Sequence, residues 1–454
     1  PLPPPAPSRP LLDLSALEQA ARIRDGSLRS RELVELYLAR INSLDPGIGA
    51  YVAVLGRSAL READRLDAER TAGKLRGPLH GVPTAIKDLH PVRGAPLRFG
   101  SRAWRYLVSP VDDRLVASIR RAGMPILGKT ATSEFGLLPV VETALHPPAR
   151  NPWNPAHSAG GSSGGAGAAL AAGLVSVAPG SDGAGSIRIP SALNGVVGLK
   201  PSRGLVPDDS ASIDIHKMTT LGPMGRSVED VAALLDMISN PEALPGGALL
   251  ACRQAPPRYR IGLLLDPPFG ETSPEVRAAT VQVADRLRAL GHRVEPLPRV
   301  EGSVAEFAPI YQALFARIPM FLPWTLQPFT RWFRAQGRHH DPAEIARRFE
   351  EFAVRGRASM EGFDLLLTPT VPRTAPKVGA YAELPFEQIF EAVGELGAFT
   401  AISNVTGYPA LSLPSGMCDG LPMGVQLIAR QGQDGALLAL GRELESSLEP
   451  SGEH

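Results

Sequence analysis

Apolar residues recur at the spacing of an amphipathic helix through the first part of the chain. Between residues 11 and 72 they return every three or four positions, and Leu33, Tyr37 and Ile41 fall on one face. Pro46-Gly47 interrupts the pattern and is expected to break it. This segment therefore predicts a helical N-terminal layer.

Short apolar runs alternate with helical stretches farther along the chain. Runs at 82–86 and 125–127 flank a helix predicted over about 113–122. The pair Ser227 and Asp230 has the spacing of a capping box and predicts a helix over 228–238. The same alternation continues in a strand at 261–265, a helix that begins at Ser273-Pro274, and a strand around Val294.

No internal repeat and no clear domain boundary interrupts this alternation. It predicts an α/β fold in which a mixed central β-sheet is covered by helices on both faces. The proline-rich opening, residues 1–10, is too rich in proline for a helix and is expected to be a disordered tail. Residues 11–454 are expected to form one domain.

The composition argues against several classes of function. The 454 residues include 47 basic and 46 acidic side chains, a balance that lacks the positive charge of a protein that binds nucleic acid or an anionic membrane. Cys252 and Cys418 are too few for a disulfide framework, and no Cys/His cluster has metal-ligand spacing. No apolar run reaches the roughly 20 residues that span a bilayer. We expect a cytoplasmic protein that acts on a small uncharged molecule and uses no metal or cofactor. The composition leaves a homodimer as one possible oligomeric state.

Two segments match known motifs, but the residues around them do not have the structure that each motif requires. Residues 123–130 fit the GxxxxGK[ST] phosphate-binding loop, but a helix precedes them and an apolar strand replaces the polar loop. Residues 160–164 fit the GxSxG nucleophile elbow, but Pro152 and Pro155 rule out the buried strand that this motif requires. His157 lies close by and is interpreted as structural. A nucleotide-binding protein built on residues 123–130 is the alternative from a different class.

Lys87 follows the apolar run at 82–86. A strand that ends at this lysine carries the amine toward the interior, where burial disfavours the ammonium form and lowers the pKa. A neutral amine formed in this way can act as a general base near neutral pH. The competing interpretation is a strand-end lysine that pairs with Asp88.

Residues 160–165 have the sequence Gly-Gly-Ser-Ser-Gly-Gly and lead into a small-residue helix predicted over 166–172. A flexible linker is the competing interpretation, but linkers do not lead directly into an alanine-rich helix. Glycines here allow unusual backbone angles and the close approach of another segment. Ser162 is therefore a candidate for a rigidly held hydroxyl group.

Ser186 stands at the end of a second glycine-rich segment, residues 180–190. Consecutive backbone N–H groups in such a turn can converge on a developing oxyanion, and each donor is worth roughly 3 to 4 kcal/mol. A turn that merely pairs Asp182 with Arg188 explains the charges but leaves the serine unexplained. The candidate oxyanion donors are the backbone N–H groups of Gly183, Ala184, Gly185 and Ser186.

Together these segments resemble the amidase signature family, and the resemblance covers nearly the whole chain. The further blocks that carry it are Gly128-Lys129-Thr130, Ser133-Glu134-Phe135-Gly136, Gly198-Leu199-Lys200-Pro201, Gly222-Pro223-Met224, residues 364–369, Asn404-Val405-Thr406-Gly407-Tyr408-Pro409 and the run from Gly420 to Gln426. The resemblance implies one amidase signature domain, with a core at about 70–235 and a more variable, substrate-facing region at about 300–390.

The resemblance also implies the roles of single residues. Lys87 would be the general base, Ser162 a bridging serine after a cis peptide bond, and Ser186 the nucleophile that forms an acyl-enzyme. The implied reaction is hydrolysis of a carbon–nitrogen acyl bond in an amide, a carbamate (urethane) or an oligoamide. The implied supporting residues are Ser163, Ser181, Asp182 and Arg188.

Two positions depart from the family pattern. Ala184 stands where the first of two glycines is usual, and Ala131 stands where an asparagine is common. A methyl group at 184 permits an N–H donor but restricts positive φ. The Ala-Gly pair also occurs in family members that hydrolyse nylon-type oligoamides. The alternative within the family is the glutaminase subunit of a tRNA-dependent amidotransferase.

Aromatic residues are concentrated between 315 and 333, although they make up only 6% of the chain. Such a concentration usually belongs to a core, but three prolines in the stretch break any long helix there. We therefore expect an apolar pocket for an uncharged aryl or alkyl substrate. The aromatic residues of this stretch are Phe315, Phe321, Trp324, Phe329, Trp332 and Phe333, and Met320 lies among them. The pocket is assigned to Phe321, Trp324, Phe329 and Trp332.

Overall fold

A computed structural model describes residues 10–209, 213–320 and 322–448. Of the tail predicted at 1–10, all but Pro10 lies outside these residues, as does Phe321. The strands are β1 (Tyr51–Val54), β2 (Thr84–Lys87), β3 (Ile126–Thr130), β4 (Val177–Asp182), β5 (Val197–Lys200), β6 (Thr220–Gly225), β7 (Arg260–Leu263), β8 (Arg293–Pro296), β9 (Leu365–Pro369), β10 (Ala410–Cys418) and β11 (Leu421–Ala429).

The helices follow the same alternation along the chain. They are α1 (Pro10–Asp13), α2 (Ala16–Asp25), α3 (Ser30–Ile48), α4 (Gly56–Thr71), α5 (Arg114–Arg121), α6 (Gly164–Ala171), α7 (Arg188–Asn194), α8 (Val228–Ile238), α9 (Ala248–Cys252), α10 (Pro274–Ala289), α11 (Val304–Ala316), α12 (Pro328–Gly337), α13 (Pro342–Ala358), α14 (Phe386–Gly394), α15 (Ala401–Thr406) and α16 (Asp434–Leu448). None of the helices within the described ranges is long and apolar enough to cross a membrane.

The strands form two sheets with mixed directions. The large sheet has the order β4-β6-β5-β10-β11-β9-β7-β8, and its β7 runs parallel to both neighbours while the other pairs are antiparallel. The small sheet has the order β1-β3-β2, with β2 and β3 parallel. The predicted α/β fold with a mixed sheet is confirmed.

Helices pack on both faces of the large sheet. Successive residues of a strand face opposite sides, so neighbouring positions report on the two faces. Gln426 of β11 hydrogen-bonds to Arg188 of α7 at 3.1 Å. Leu427 follows Gln426 in β11, and it pairs with Leu411 of β10. Leu411 lies against α16, because a Cβ built on Gly441 of that helix would come within 2.3 Å of Leu411 Cδ2. Helices α7 and α16 therefore cover opposite faces.

The predicted helix starts are confirmed where capping residues were recognised, and one predicted break is displaced. The side chains of Asp113, Ser227 and Ser273 cap α5, α8 and α10. Helix α3, in contrast, continues through Pro46 to Ile48 and ends at Gly49, whose φ is +71°. The break predicted at Pro46-Gly47 was wrong by two residues because the Gly49 N–H still closes on the carbonyl oxygen of Asp45.

A second hydrophobic cluster lies outside the main core and belongs to the helices between residues 304 and 394. We call those of its buried rings that pack on one another the aromatic layer. Ring centroids of neighbouring members lie between 4.7 and 6.4 Å apart, the range of favourable aromatic pairs. The aromatic layer comprises Phe307, Tyr311, Phe315, Phe329, Phe333 and Phe390.

Candidate active site

Lys87 is the last residue of β2, a strand whose four residues are all buried. Although β2 and β4 belong to different sheets, they lie side by side, since Thr84 Oγ1 donates a hydrogen bond to the carbonyl oxygen of Val177 at 2.9 Å. The end of β2 thereby meets the end of β4, which carries Ser181. This junction between the two sheets positions the lysine.

The amine of Lys87 is fully buried and surrounded by oxygen atoms from three serines. Nζ lies 2.8 Å from Ser162 Oγ, 2.8 Å from Ser163 Oγ and 2.9 Å from Ser181 Oγ. It also lies 3.3 Å from the carbonyl oxygen of Ser181. We call these four residues the lysine–serine cluster. Within the described ranges no carboxylate hydrogen-bonds to this amine, so neutral oxygens hold it.

The surroundings of Lys87 favour the neutral amine. Burial lowers the pKa of Lys87 to about 7, although the charge of Asp182 acts in the opposite direction. Asp88, the neighbour that sequence alone offered as a partner, pairs instead with Lys129 at 2.9 Å. Lys87 is therefore poised to exchange a proton near neutral pH.

Ser162 and Ser163 immediately precede α6, which begins at Gly164. The peptide bond between Gly161 and Ser162 is cis. The start of the helix lies directly against another segment, because a Cβ built on Gly165 would come within 2.3 Å of the nitrogen of Ala131. The glycines of this motif thus permit close packing, in agreement with the interpretation that they do not form a flexible linker.

The loop between β4 and α7 carries Ser186 and presents its backbone toward a pocket. The N–H groups of Gly183, Ala184 and Ser186 donate to no described residue. Gly185 differs from its sequence-based assignment, because its N–H donates to Asp182 Oδ1 at 2.6 Å. Gly185 instead supplies the positive φ of +126° that the turn requires, and a Cβ there would lie 2.3 Å from Thr400 Oγ1. Ala184 keeps a negative φ and tolerates its methyl group.

Asp182 and Arg188 form a fully buried, bidentate ion pair with two contacts of 2.9 Å. Burial by itself raises the pKa of Asp182, but the guanidinium group holds the pKa well below its usual range. Arg188 also donates to Gln426 and Asn404, and Asn404 donates to the carbonyl oxygen of Asp182 at 2.7 Å. This network fixes the loop that carries Ser186.

Sequence reasoning did not assign a role to Asn404, Gln426 or Thr400. Thr400 donates from Oγ1 to the carbonyl oxygen of Ala184 at 2.6 Å and thereby fastens the loop from its other side. The signal was present for two of the three, since Asn404 and Gln426 fall in blocks that resemble the amidase signature family. Nothing local marks Thr400, which meets the loop only through the fold.

Ser186 joins the lysine–serine cluster to a pocket. Its carbonyl oxygen accepts a hydrogen bond from the N–H of Ser163 at 3.1 Å, so the two serine segments are in direct contact. Its hydroxyl group makes no hydrogen bond to any described residue, and the side chain lines a pocket of about 890 Å³, counting space open to solvent. Catalytic hydrogen bonds are often unmade before substrate binds.

The walls of this pocket are mostly apolar, and their rings come from the aromatic layer and its neighbours. Phe307, Tyr311 and Phe390 contribute from the layer, while Phe352 and Phe269 complete the aromatic lining. Two charged side chains belong to the lining. Glu301 is exposed, and Arg355, with 37% of its side chain exposed, pairs with Glu306, while its Nε is buried without a partner among the described residues. The site therefore favours an uncharged group beside Ser186.

None of the described residues to which the sequence assigned the pocket lines the space beside Ser186. Trp324 is 67% exposed. Phe329 is buried in the aromatic layer, and Trp332 packs against that layer. Phe315 and Phe333 are also buried there. The physical reason is that α12 lies behind α11, so its rings support the pocket wall without reaching the cavity.

The motif matches set aside from the sequence have structural explanations. Lys129 lies on the buried strand β3, where it donates to Asp88 and to the carbonyl oxygens of His90 and Pro96. In the described part of the chain, no histidine hydrogen-bonds to Ser162 or Ser186. Nor do the described histidine, cysteine and acidic side chains form a group that could hold a metal ion.

Comparisons with known proteins extend over nearly the whole molecule. The family model Amidase matches residues 32–322 and 325–438. The chain is 34% identical to the 6-aminohexanoate-cyclic-dimer hydrolase of Paenarthrobacter ureafaciens, over 95% of this chain and 94% of that protein. It is 33% identical to a glutamyl-tRNA(Gln) amidotransferase subunit from Pseudomonas putida, over 94% and 95% of the two chains.

A solved structure shows the same fold. It is a bacterial aryl acylamidase of the amidase signature enzymes, which superposes with a TM-score of 0.87 at 25% identity and covers 97% of this chain and 98% of its own. A common fold, a full-length family match and relatives above 30% identity agree with one another. The protein accordingly belongs to the amidase signature family and is a hydrolase of carbon–nitrogen amide bonds other than peptide bonds.

Proposed function

We propose that hydrolysis proceeds through an acyl-enzyme on Ser186, with Ser162 as the proton relay and Lys87 as the base. The observation that carries this proposal is the hydrogen bond of 2.8 Å between a fully buried amine and Ser162, in a segment whose neighbour Ser163 contacts Ser186. A neutral amine has a lone pair that can accept a proton, and an ammonium group has none. The lowered pKa of Lys87 makes that form available near pH 7.

In the proposed course, Ser162 relays one net proton from Ser186 to Lys87 and later back to the leaving group. The Ser186 hydroxyl gives its proton to Ser162 while Ser162 gives its own to Lys87, and Ser186 Oγ bonds to the acyl carbon. The N–H groups of Gly183, Ala184 and Ser186, which donate to no described residue, are the candidate donors to the resulting oxyanion. The proton then returns through Ser162 to the leaving nitrogen, and the carbon–nitrogen bond breaks. Water repeats the sequence on the ester and releases the acid.

The substrate that we propose is a small uncharged amide with an aryl or alkyl group in the apolar pocket. An apolar wall gains free energy from such a group, at about 25 cal/mol for each Å² removed from water. A carbamate passes through the same tetrahedral arrangement and belongs to the same proposal. The aryl acylamidase and the cyclic-dimer hydrolase among the similar proteins support two concrete test compounds, an aryl acylamide and a cyclic oligoamide.

A sulfonyl fluoride tests the nucleophile. We expect one equivalent to label Ser186, identified by mass spectrometry, and to abolish turnover, because only an activated alcohol reacts quickly with this reagent. Ser186→Ala should be unlabelled and inactive, whereas the matched variant Ser118→Ala, in α5 away from the pocket, should behave as the parent enzyme. Labelling of another serine, or turnover by Ser186→Ala, would overturn the proposal.

A substrate panel tests the pocket. An aryl acylamide, an aryl carbamate, a cyclic dimer of 6-aminohexanoate and glutamine should be compared by kcat/KM under one set of conditions. We expect the first three to exceed glutamine, whose charged α-amino and α-carboxyl groups find few partners along apolar walls. A preference for glutamine would instead favour the glutaminase function known for amidotransferases.

A further inference from the structure

Tyr311 of α11 has a hydroxyl group that no described residue uses. The residue is only 5% exposed, yet its Oη makes no hydrogen bond to any described residue. Among the described residues, Oη does not belong to the enclosed polar atoms that lack a partner, so this hydroxyl group is open to the pocket. Tyr311 lines the pocket at Ser186, so a molecule bound there is the available partner.

The hydroxyl group of Tyr311 lies next to the candidate oxyanion loop. A Cβ built on Gly183 would lie 3.6 Å from Tyr311 Oη and 4.0 Å from its Cε2. Gly183 is one of the residues whose N–H donates to no described residue, while the N–H of Gly185 is used by Asp182. The loop thus lacks one of the donors that the sequence suggested, and a side-chain donor stands beside the remaining ones.

The ring that carries this hydroxyl group is held firmly from behind. Its centroid lies 4.9 Å from that of Phe315, 5.6 Å from Phe307 and 6.1 Å from Phe390. Phe333 packs edge-on at 6.4 Å. A donor that is already in place loses little entropy when substrate binds, which is the condition for strong electrostatic stabilisation. The aromatic concentration noted in the sequence therefore supports this ring.

The chemistry of an amide identifies the acceptor. Its nitrogen lone pair is delocalised, so the acyl oxygen is the one strong acceptor that every amide or carbamate substrate brings beside Ser186. That oxygen also gains charge during attack. Burial, together with the charges of Asp182 and Asp214, raises the pKa of Tyr311, so the phenol remains a donor throughout the working range.

We propose that Tyr311 donates a hydrogen bond from Oη to the acyl oxygen of the substrate and stabilises the oxyanion that forms on Ser186. This inference rests on the proposed acyl-enzyme mechanism. Tyr311 is then a catalytic residue of the pocket wall and links the aromatic layer to the reaction. The other buried polar side chain of the described lining is Ser186 itself.

Tyr311→Phe tests the proposal, because it removes one oxygen atom that has no described partner in the free protein. We expect kcat for an aryl acylamide to fall on the order of 100-fold, the effect of losing one oxyanion donor, with KM changed less than about threefold. The thermal midpoint should stay within experimental error of the parent. Tyr381→Phe, a half-buried tyrosine outside this pocket, is the matched control and should keep full activity.

A transition-state analogue separates oxyanion stabilisation from packing. An aryl trifluoromethyl ketone forms a charged hemiketal with a nucleophilic serine, and an aryl carboxamide inhibitor of the same shape keeps a neutral oxygen. Tyr311→Phe should weaken the ketone by a factor similar to the loss in kcat and weaken the carboxamide far less. Equal weakening of both, or an unchanged kcat, would overturn the role of Tyr311.

Ser186→Ala, assayed in parallel, keeps the two proposals apart. If Ser186→Ala retains turnover, the acyl-enzyme mechanism fails and the role of Tyr311 fails with it. If Ser186→Ala is inactive while Tyr311→Phe keeps its full kcat, the mechanism stands and the role of Tyr311 alone is wrong. A lower thermal midpoint in Tyr311→Phe, with the ratio of ketone to carboxamide affinity unchanged, also assigns Tyr311 to packing and overturns its catalytic role.

Discussion

The two regions that meet at Ser186 are built on different principles. On one side, the lysine–serine cluster is fully buried and every polar atom contact is specific, with distances of 2.8 to 3.3 Å around a single amine. On the other side, the aromatic layer is non-directional and offers one hydroxyl group. Hydrogen-bonded clusters fail when one partner changes, whereas apolar walls tolerate exchange of shape and volume. The first side should therefore govern the rate and the second the choice of substrate.

The largest effect should come from the amine. Lys87→Arg keeps a positive charge but replaces a base by a group whose pKa stays above about 12, so we expect kcat/KM to fall about 10²- to 10⁴-fold. The exposed residue Lys74 offers the control, because Lys74→Arg should leave the rate unchanged. Steady-state kinetics on both variants decide the matter. If Lys87→Arg kept a tenth of the parent activity, the claim that the lysine–serine cluster governs the rate would be wrong.

The ion pair beneath the loop should determine stability. Arg188→Met leaves Asp182 as an unpaired buried carboxylate, and we expect the free energy of unfolding to fall by about 3 to 5 kcal/mol. Arg347→Met, which removes pairs on an exposed face of α13, should cost under about 1 kcal/mol. Urea unfolding followed by circular dichroism measures both. A loss below about 1 kcal/mol in Arg188→Met contradicts the network's role.

Two aromatic residues should distinguish a ring that supports the pocket wall from a ring that contacts the substrate. Phe329→Ala removes a buried ring that does not line the pocket, so we expect a loss of about 3 kcal/mol in stability with unchanged preference between aryl and acetyl amides. Phe352→Ala removes a lining ring and should raise KM about tenfold for the aryl amide alone. Denaturation and KM ratios give both readouts. A raised KM in Phe329→Ala, with a loss of stability alone in Phe352→Ala, would place the pocket wall on α12.

The rate should follow the protonation of Lys87. Its pKa of about 7 lies well below the ordinary value for lysine, and the neutral form is the active one in the proposed mechanism. Thus kcat/KM should rise about tenfold per pH unit below 7 and level off above it. A profile from pH 5 to 9 in buffers of constant ionic strength provides the measurement. A flat profile across this range would contradict a titrating base.

The smallest effect should come from Trp324. Because this ring is 67% exposed and outside the pocket, Trp324→Ala should change the free energy of unfolding by less than about 0.5 kcal/mol. Its KM for the aryl amide should equal that of the parent enzyme. Thermal denaturation and the substrate panel together provide the check. A raised KM would return Trp324 to the substrate-binding residues predicted from the sequence.

Local sequence determines much of the first side and little of the second. Lys87 follows its apolar strand, and residues 160–165 and 180–190 are glycine- and serine-rich motifs, so the chemistry of each could be proposed locally. The resemblance to the amidase signature family, and not these motifs alone, implied that they act together. The donor set could not be predicted, because the N–H of Gly185 turns toward Asp182 only in the folded loop. Thr400 is separated from Ala184 by 216 positions and meets it through the fold alone.

The aromatic wall illustrates why composition is a poor guide to a pocket. Phe329 and Phe333 stand in the densest aromatic stretch, yet α12 packs behind α11 and hides them. Phe352 and Phe390 reach the cavity from helices outside that stretch. Which ring faces a cavity depends on the rotation and packing of helices, and neither property is encoded in the number of rings in a window.

The pairing of Asp88 with Lys129 has a consequence for how such an enzyme can change over generations. The carboxylate stands one residue from the proposed base, and its partner neutralises it inside the protein. Loss of Lys129 alone would leave the buried carboxylate of Asp88 without its cation, at a cost of about 3 to 5 kcal/mol in stability. Descendants can therefore replace the two residues together far more readily than either one singly.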